Sequence, residues 1–162
     1  MTAATQPPRS VAEQRRLEEA LIELFEHKIT FHQVLGLKVL SVRPGDVRTR
    51  IEMRPELIGH YGYGRLHGGV ISALLDPTGA LGIMAAMAER HAAESAAQFM
   101  QRFAKMATID LRIDYLRQGI GRHFVASTEV TRLGGRVSSA QMRLVNDEGA
   151  LIATGSAAYI VS

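Results

Sequence analysis

The amino-acid sequence predicts an α+β domain in which an antiparallel sheet curls around one long buried helix. Three observations carry that expectation. Apolar and polar residues alternate with period two in two segments before residue 54 and in four after residue 106. A nearly unbroken apolar stretch, residues 68 to 88, lies between them. Turn signals at Pro44-Gly45-Asp46, Gly134-Gly135 and Asp147-Glu148-Gly149 separate the alternating segments. With no internal repeat and no linker, 162 residues make one domain with one core.

Residues 1 to 9 are expected to be disordered, since Pro7 and Pro8 block helix entry. Ser10 and Glu13 then form an S-x-x-E capping box. Leu17, Leu21, Leu24, Phe25 and Ile29 recur at helical spacing, so 10–30 is an N-terminal helix, amphipathic to about Lys28, with a solvated charged face. The main domain occupies 31–162 and starts with a short turn around His32 to Leu35. Leu37, Val39 and Ser41 alternate with Lys38, Leu40 and Val42 in a first strand. Val47, Thr49, Ile51 and Met53 alternate with Arg48, Arg50 and Glu52 in a second, half-buried one. Residues 55 to 66, rich in glycine and tyrosine, read as an irregular loop.

The stretch 68 to 88 is long enough to span a bilayer. Asp76 and Pro77 stand at its middle, where an aspartate alone costs roughly 2.5–3.5 kcal/mol on insertion. A helix apolar all round can equally be buried inside a soluble protein, and that is the reading adopted. Its acid then demands a role, because charged groups are seldom buried without one. Pro77 removes a helical hydrogen bond and should kink the helix. A polar, alanine-rich segment continues it in broken form from Glu89 to Lys105. Ile109, Leu111, Ile113 and Tyr115 next share a strand face opposite Asp110, Arg112 and Asp114, and strands at about 122 to 132, 136 to 146 and 150 to 161 follow. Gly79, Ala80, Gly82, Ala85 and Ala86 let the strands approach the helix closely. A sheet covers one side of the helix, so the remaining apolar face calls for a second copy of the chain.

Composition narrows the functions. Hydrophobic residues at 46% and charged residues at 22% are the balance of a soluble globular protein. The absence of cysteine excludes disulfides, thiolate catalysis and cysteine-ligated zinc, and suits a reducing compartment. The start, MTAATQPPRS, has no apolar run, and a cytoplasmic location is expected. A charge of +3 and a pI near 9.6 make a mildly positive field that attracts phosphorylated ligands. The arginines are scattered, with no basic run and no aromatic platform, so nucleic acid is not expected as a partner. His27, His32, His91 and His123 read as surface residues, and no pair has a convincing metal spacing.

The segment Leu66-His67-Gly68-Gly69-Val70-Ile71-Ser72-Ala73-Leu74-Leu75-Asp76 resembles the HGG-x(6)-D signature of PaaI-like acyl-CoA thioesterases. Leu57-Ile58-Gly59-His60 before it, and Thr108-Ile109-Asp110-Leu111-Arg112-Ile113-Asp114-Tyr115-Leu116 after it, look like that family's flanking segments, so the likeness spans about residues 31 to 160. The resemblance implies the hotdog fold, a curved six-stranded antiparallel sheet in the order 1-2-4-5-6-3 around a long central helix, here with an extra N-terminal helix. It also implies hydrolysis of an acyl- or aryl-acyl-CoA to free acid and CoA. Coenzyme A is then part of the substrate, with no cofactor and no metal.

The chemistry can be rebuilt from the residues. A glycine pair opening a helix exposes unpaired amides at its positive end and lets a ligand approach the backbone. Such amides can polarise a thioester carbonyl and stabilise the developing oxyanion. The Asp76 carboxylate can attack the carbonyl carbon directly or activate a water, and the sequence leaves both routes open. Gly68 and Asp76, eight residues apart, are separated by about 12 Å along one helix. The acid of one subunit must therefore meet the amides of another, which implies a dimer with shared sites, open to further pairing as a tetramer.

Further roles follow from the resemblance. Thr108 matches a position that often holds a hydroxyl and can orient the attacking water, and His67 fixes the helix entrance. His60 stands where family members commonly have Asn, so His60 or Tyr61 would supply the missing donor. Gly69 joins His60 and Tyr61 in substrate binding. Arg117 and Arg136, at strand ends, can hold the phosphates of coenzyme A. Plainer readings stand beside these: a buried acid paired with an amide or arginine for Asp76, a strand threonine for Thr108, solvated turn arginines, and tyrosines that only pack the loop. Two other functions compete with hydrolysis. One is a non-catalytic acyl-CoA-binding or regulatory protein on the same fold. The other is a hydratase or dehydratase in which His67 and Asp76 move protons at carbon. Chain length, aromatic preference and pathway are not legible.

Overall fold

A computed structural model of the chain describes residues 7–162. The start expected to be disordered, 1–9, lies outside the described residues up to position 6. Of the rest, Arg9 is tied down: its guanidinium donates to the carbonyls of His91 and Glu94, each at 2.8 Å, and to that of Ala88. Ala88 lies in the last turn of the long helix and His91 caps it, so the guanidinium sits where a cation suits the helix dipole.

Helix α1 spans Val11–Glu23 with Ser10 as its cap, the Ser10 hydroxyl accepting from the Glu13 amide. The reciprocal half of the capping box does not form. Instead, the Glu13 carboxylate accepts from the Ala96 amide at 3.1 Å. A π-helical turn, Leu24–Lys28, carries the chain to an extended Ile29. Helix α2, Thr30–Leu35, then replaces the turn expected around His32 to Leu35, and Gly36 at φ 67° stops it. His32 is also corrected from surface to interior. It is 7% exposed, and its Nδ1–H donates to the Phe25 carbonyl at 2.9 Å.

Strands β1 (Lys38–Arg43) and β2 (Asp46–Glu52) pair antiparallel. The register jumps from Val39↔Thr49 to Ser41↔Arg48, which leaves Leu40 as a bulge. Beyond it Val42, not Ser41, is buried, paired with Val47, so the simple alternation read for this strand changes face midway. The loop expected at 55 to 66 contains a small hairpin of β3 (Ile58–His60) and β4 (Arg65–Leu66). Gly59 makes this possible, because any side chain there would strike the His67 backbone.

Helix α3 runs unbroken from Gly68 to Arg90, through Pro77. Pro77 deprives the Ala73 carbonyl of its amide. Side-chain bonds tie the adjoining turn to the sheet. Tyr159 Oη donates to the Asp76 carbonyl at 2.8 Å, Thr78 Oγ1 donates to the Leu74 carbonyl at 2.6 Å, and Thr49 Oγ1, also 2.6 Å away, then donates to Thr78. By length and composition α3 would cross a membrane, yet 67% of its apolar window is buried inside the protein. Helix α4 (Ala96–Met100) and a 3-10 turn (Gln101–Lys105) follow.

Strands β5 (Ala107–Tyr115), β6 (His123–Arg132), β7 (Val137–Asn146) and β8 (Leu151–Ile160) complete the sheet, ordered β1-β2-β6-β7-β8-β5 with every pairing antiparallel. Counted over its six strands, that is the expected 1-2-4-5-6-3. The sheet wraps α3, burying Leu74, Leu75, Leu81 and Ile83 completely. Contact is close where the helix has glycine: a methyl at Gly79 would collide with Tyr159, and one at Gly82 with Thr128. β5 is an edge strand with its own bulge between Thr108 and Asp110, so Ile109, 56% exposed, leaves the face it was expected to share with Leu111 and Ile113.

Candidate active site

His67 caps α3 in extended backbone, and its Nδ1 accepts from the Gly69 amide at 2.8 Å. An accepting Nδ1 carries no proton, so the ring in this bond is neutral and protonated at Nε2. The amides of Val70 and Ile71 turn to the His67 carbonyl at 2.9 and 3.2 Å. Among the described residues, that leaves the Gly68 N–H as the helix-start amide without an acceptor. The donor offered to a ligand oxygen is thus narrowed to Gly68, because Gly69, expected to bind substrate, spends its amide on the cap.

The Tyr115 ring lies against Gly68, where an added Cβ would come within 3.3 Å of it, and Tyr115 Oη donates to the Gly68 carbonyl at 3.0 Å. A cleft of about 610 Å³ opens here. His60, Arg65, His67, Gly68, Tyr115 and Arg117 are among the residues that line it, and none of its lining residues is acidic. Arg117 is steadied by a bond from Nη1 to the Leu151 carbonyl at 2.9 Å, and Arg65 sits 4.7 Å from the Tyr63 ring centre. Tyr61 stands outside the cleft, 97% exposed and stacked on His60 at 5.7 Å. This cleft can hold an anionic ligand and a carbonyl oxygen.

Asp76 lies outside this cleft. Its Oδ1 accepts from Thr108 Oγ1 at 2.9 Å, while Oδ2 makes no side-chain bond among the described residues. Asp76 is half-buried and Thr108 exposed, so the pair opens to solvent in the single chain. Arg136 belongs at this end as well. In the sheet register, β8 aligns Ala107 and Val137 with Ile160, and Tyr115 with Ala153, at the opposite end. The structure therefore brings His60, His67, Gly68, Gly69 and Arg117 together and places Asp76, Thr108 and Arg136 toward the other end. No group of three or more His, Asp or Glu side chains that could hold a metal occurs among the described residues.

Sequence reasoning missed Tyr115 and Arg65 as site residues. Tyr115 was legible as the last apolar residue of a strand and as part of a flanking segment, with no role attached to it. Arg65 stands two positions before His67, and nothing in its neighbours marked it.

The family model described as the thioesterase superfamily matches residues 63–153. The medium/long-chain acyl-CoA thioesterase YigI of Escherichia coli (strain K12) is 34% identical over 139 residues, which cover 86% of this chain and 90% of that protein. A solved structure from Shewanella oneidensis, described as related to the thioesterase superfamily, is 36% identical with a TM-score of 0.86, covering 92% of this chain and 97% of the other. Zebra fish thioesterase superfamily member 2, at 24% identity, shares the fold with a TM-score of 0.68 over 91% of this chain and 97% of its own.

Proposed function

The chain belongs to the thioesterase superfamily and has its hotdog fold, and from that premise we propose that it hydrolyses acyl-CoA thioesters to free acid and CoA at sites shared between two subunits. The observation that carries this reading is the Asp76 carboxylate, bonded by Thr108 on one side only and separated by about 12 Å of helix from the free amide of its own Gly68. A second copy supplies the missing partner at each site.

In this reading the thioester oxygen is bound by the Gly68 N–H of one subunit, and Asp76 of the other faces the carbonyl carbon. By the general-base route, Asp76 takes a proton from water as the water oxygen bonds to carbon; the C–S bond then breaks and CoA leaves with that proton. By the nucleophilic route, a carboxylate oxygen bonds to carbon first, CoA leaves, and water cleaves the resulting anhydride. Thr108 holds Oδ1 in both cases. The acid-free cleft with His60, Arg65 and Arg117 suits the phosphates of coenzyme A, so the substrate brings its own coenzyme. The Escherichia coli relative, a medium/long-chain acyl-CoA thioesterase, favours an aliphatic acyl group of medium or greater length.

Two features support the dimer: β5 is an edge strand, and it leaves Ile109 and Tyr115 more than half exposed. The reading extends to a cytoplasmic enzyme, in keeping with a cysteine-free chain. The test is thiol release from a panel of acyl-CoAs by the purified protein. Release by wild type and its loss in Asp76→Ala is the expected result; equal rates in both would overturn the mechanism. Tight acyl-CoA binding with no thiol release would favour the non-catalytic alternative.

A further inference from the structure

We propose that the seam between the C-terminal half of α3 and the segment following it receives the distal alkyl chain of the substrate, and that Phe103 sets the length admitted. This rests on the thioesterase reading above and assigns the part of the substrate which that reading leaves unplaced.

Position on the helix points there first. Ala80, Met84 and Met87 follow Asp76 at spacings of four, four and three, which puts them on the same side of α3. Met87 lies about 16 Å along the axis from Asp76, comparable to a medium-length acyl chain. The Thr108–Asp76 bond pins the start of β5 beside the acid. The chain before it, Met106 back through Phe103 to Phe99, runs over the C-terminal half of the helix. There Met84, Met87, Phe99, Phe103 and Met106 line one apolar seam with Val161, and Arg102 stands at its side, bonded through Nε to Glu94 at 2.9 Å.

The seam is almost shut, with a volume of about 10 Å³. Three of its six apolar side chains are methionines, which rearrange between rotamers more readily than branched or aromatic ones. Such a lining can yield to an alkyl chain. Phe99 forms a fully buried floor, and Phe103 and Met106 are half-buried at the mouth. Phe103 is backed by the N-terminal helices. Its ring meets Phe25 edge-on at 6.3 Å, and Phe25 rests against His32 at 5.5 Å. The N-terminal extension thereby braces the gate, and short acyl groups would never reach it.

The test is kcat/KM over a series of saturated acyl-CoAs from short to long, together with calorimetric binding of short- and long-chain non-hydrolysable thioethers of CoA. Ala80→Leu narrows the route between Asp76 and the seam, and the long-to-short ratio is expected to fall by roughly tenfold or more. Phe103→Ala opens the gate and is expected to move the optimum to longer chains. Misfolding cannot produce both, since the two ratios move in opposite directions. Equal factors at every length in both variants would overturn the proposal. If wild type releases no thiol from any acyl-CoA, the thioesterase reading fails by itself and thioether binding decides the seam. Affinity that grows with chain length and loses that growth in Ala80→Leu supports the seam, while affinity indifferent to length overturns it.

Discussion

Thr108 Oγ1 donates to Asp76 Oδ1 at 2.9 Å, joining an edge strand to the central helix across 32 positions of sequence. The bond fixes which carboxylate oxygen is spent and which is free to act. Thr108→Ala is expected to lower kcat roughly ten- to a hundredfold through loss of positioning, with KM little changed. Thr108→Ser should retain most activity, because it keeps the donor. Asp76→Asn should lose about a hundredfold or more, as removal of a general base or nucleophile does. Steady-state kinetics on one good acyl-CoA checks all three, and a Thr108→Ala enzyme as fast as wild type would leave the hydroxyl with packing alone.

A shared site predicts complementation. Gly68→Val crowds the Tyr115 ring and blocks the free amide, while Asp76→Ala removes the acid, so each homodimer should be inactive. After subunit exchange, half of the dimers are hybrids with one intact site in two, and about a quarter of wild-type activity should return. No recovery after verified exchange would mean that each site is built within one chain.

A Cβ added at Gly79 would collide with the hydroxyl of the buried Tyr159. Gly79→Ala should overpack this contact and destabilise the fold by about 1–3 kcal/mol, read from denaturant midpoints. Gly135→Ala, at a turn with open space around it, is the matched control and should leave the midpoint near wild type.

His32 predicts a pH dependence of stability. Burial holds its imidazole below the usual 6.5, against the opposing pulls of the Phe25 carbonyl and the Asp76 charge. Once pH falls under 6.5, the unfolded chain takes up a proton that the folded state resists. The stability contributed by neutral His32 is therefore complete above 6.5 and is lost as pH drops toward the lower folded-state pKa, levelling beneath it. Urea unfolding at about pH 7.5 and about pH 5.5 should show a smaller difference for His32→Gln than for wild type. Equal differences would place the effect elsewhere.

Much of the architecture could be read in advance because it is written in local periodicity. Alternation marks strands wherever one face is buried, and a long apolar run with small residues marks a helix wrapped by a sheet. The failures fall where a local rule met a non-local contact. The alternation of β1 and β5 was read straight through Leu40 and Ile109, but one extra residue in a strand changes its face and leaves no signature in composition. The helix of Thr30–Leu35 is too short to show a period, so its sequence predicts only a turn. Glu13 had the right spacing for a capping box, yet a backbone amide 83 residues away claimed its carboxylate.

The sequence by itself determined that a sheet would wrap around one apolar helix, that Asp76 would stand exceptional within that helix, and that about 12 Å of helix would separate it from Gly68. All of this follows from counting residues along regular elements. Only the tertiary structure decided that Thr108 holds Asp76, that Gly68 rather than Gly69 keeps a free amide, that Tyr115 closes over the helix start, and that Arg136 lies at the far end of the sheet from Arg117. The physical reason is one of reach. Helix and strand geometry repeats over a few residues and is encoded there, whereas a hydrogen bond between distant segments depends on how whole elements are stacked and in what register.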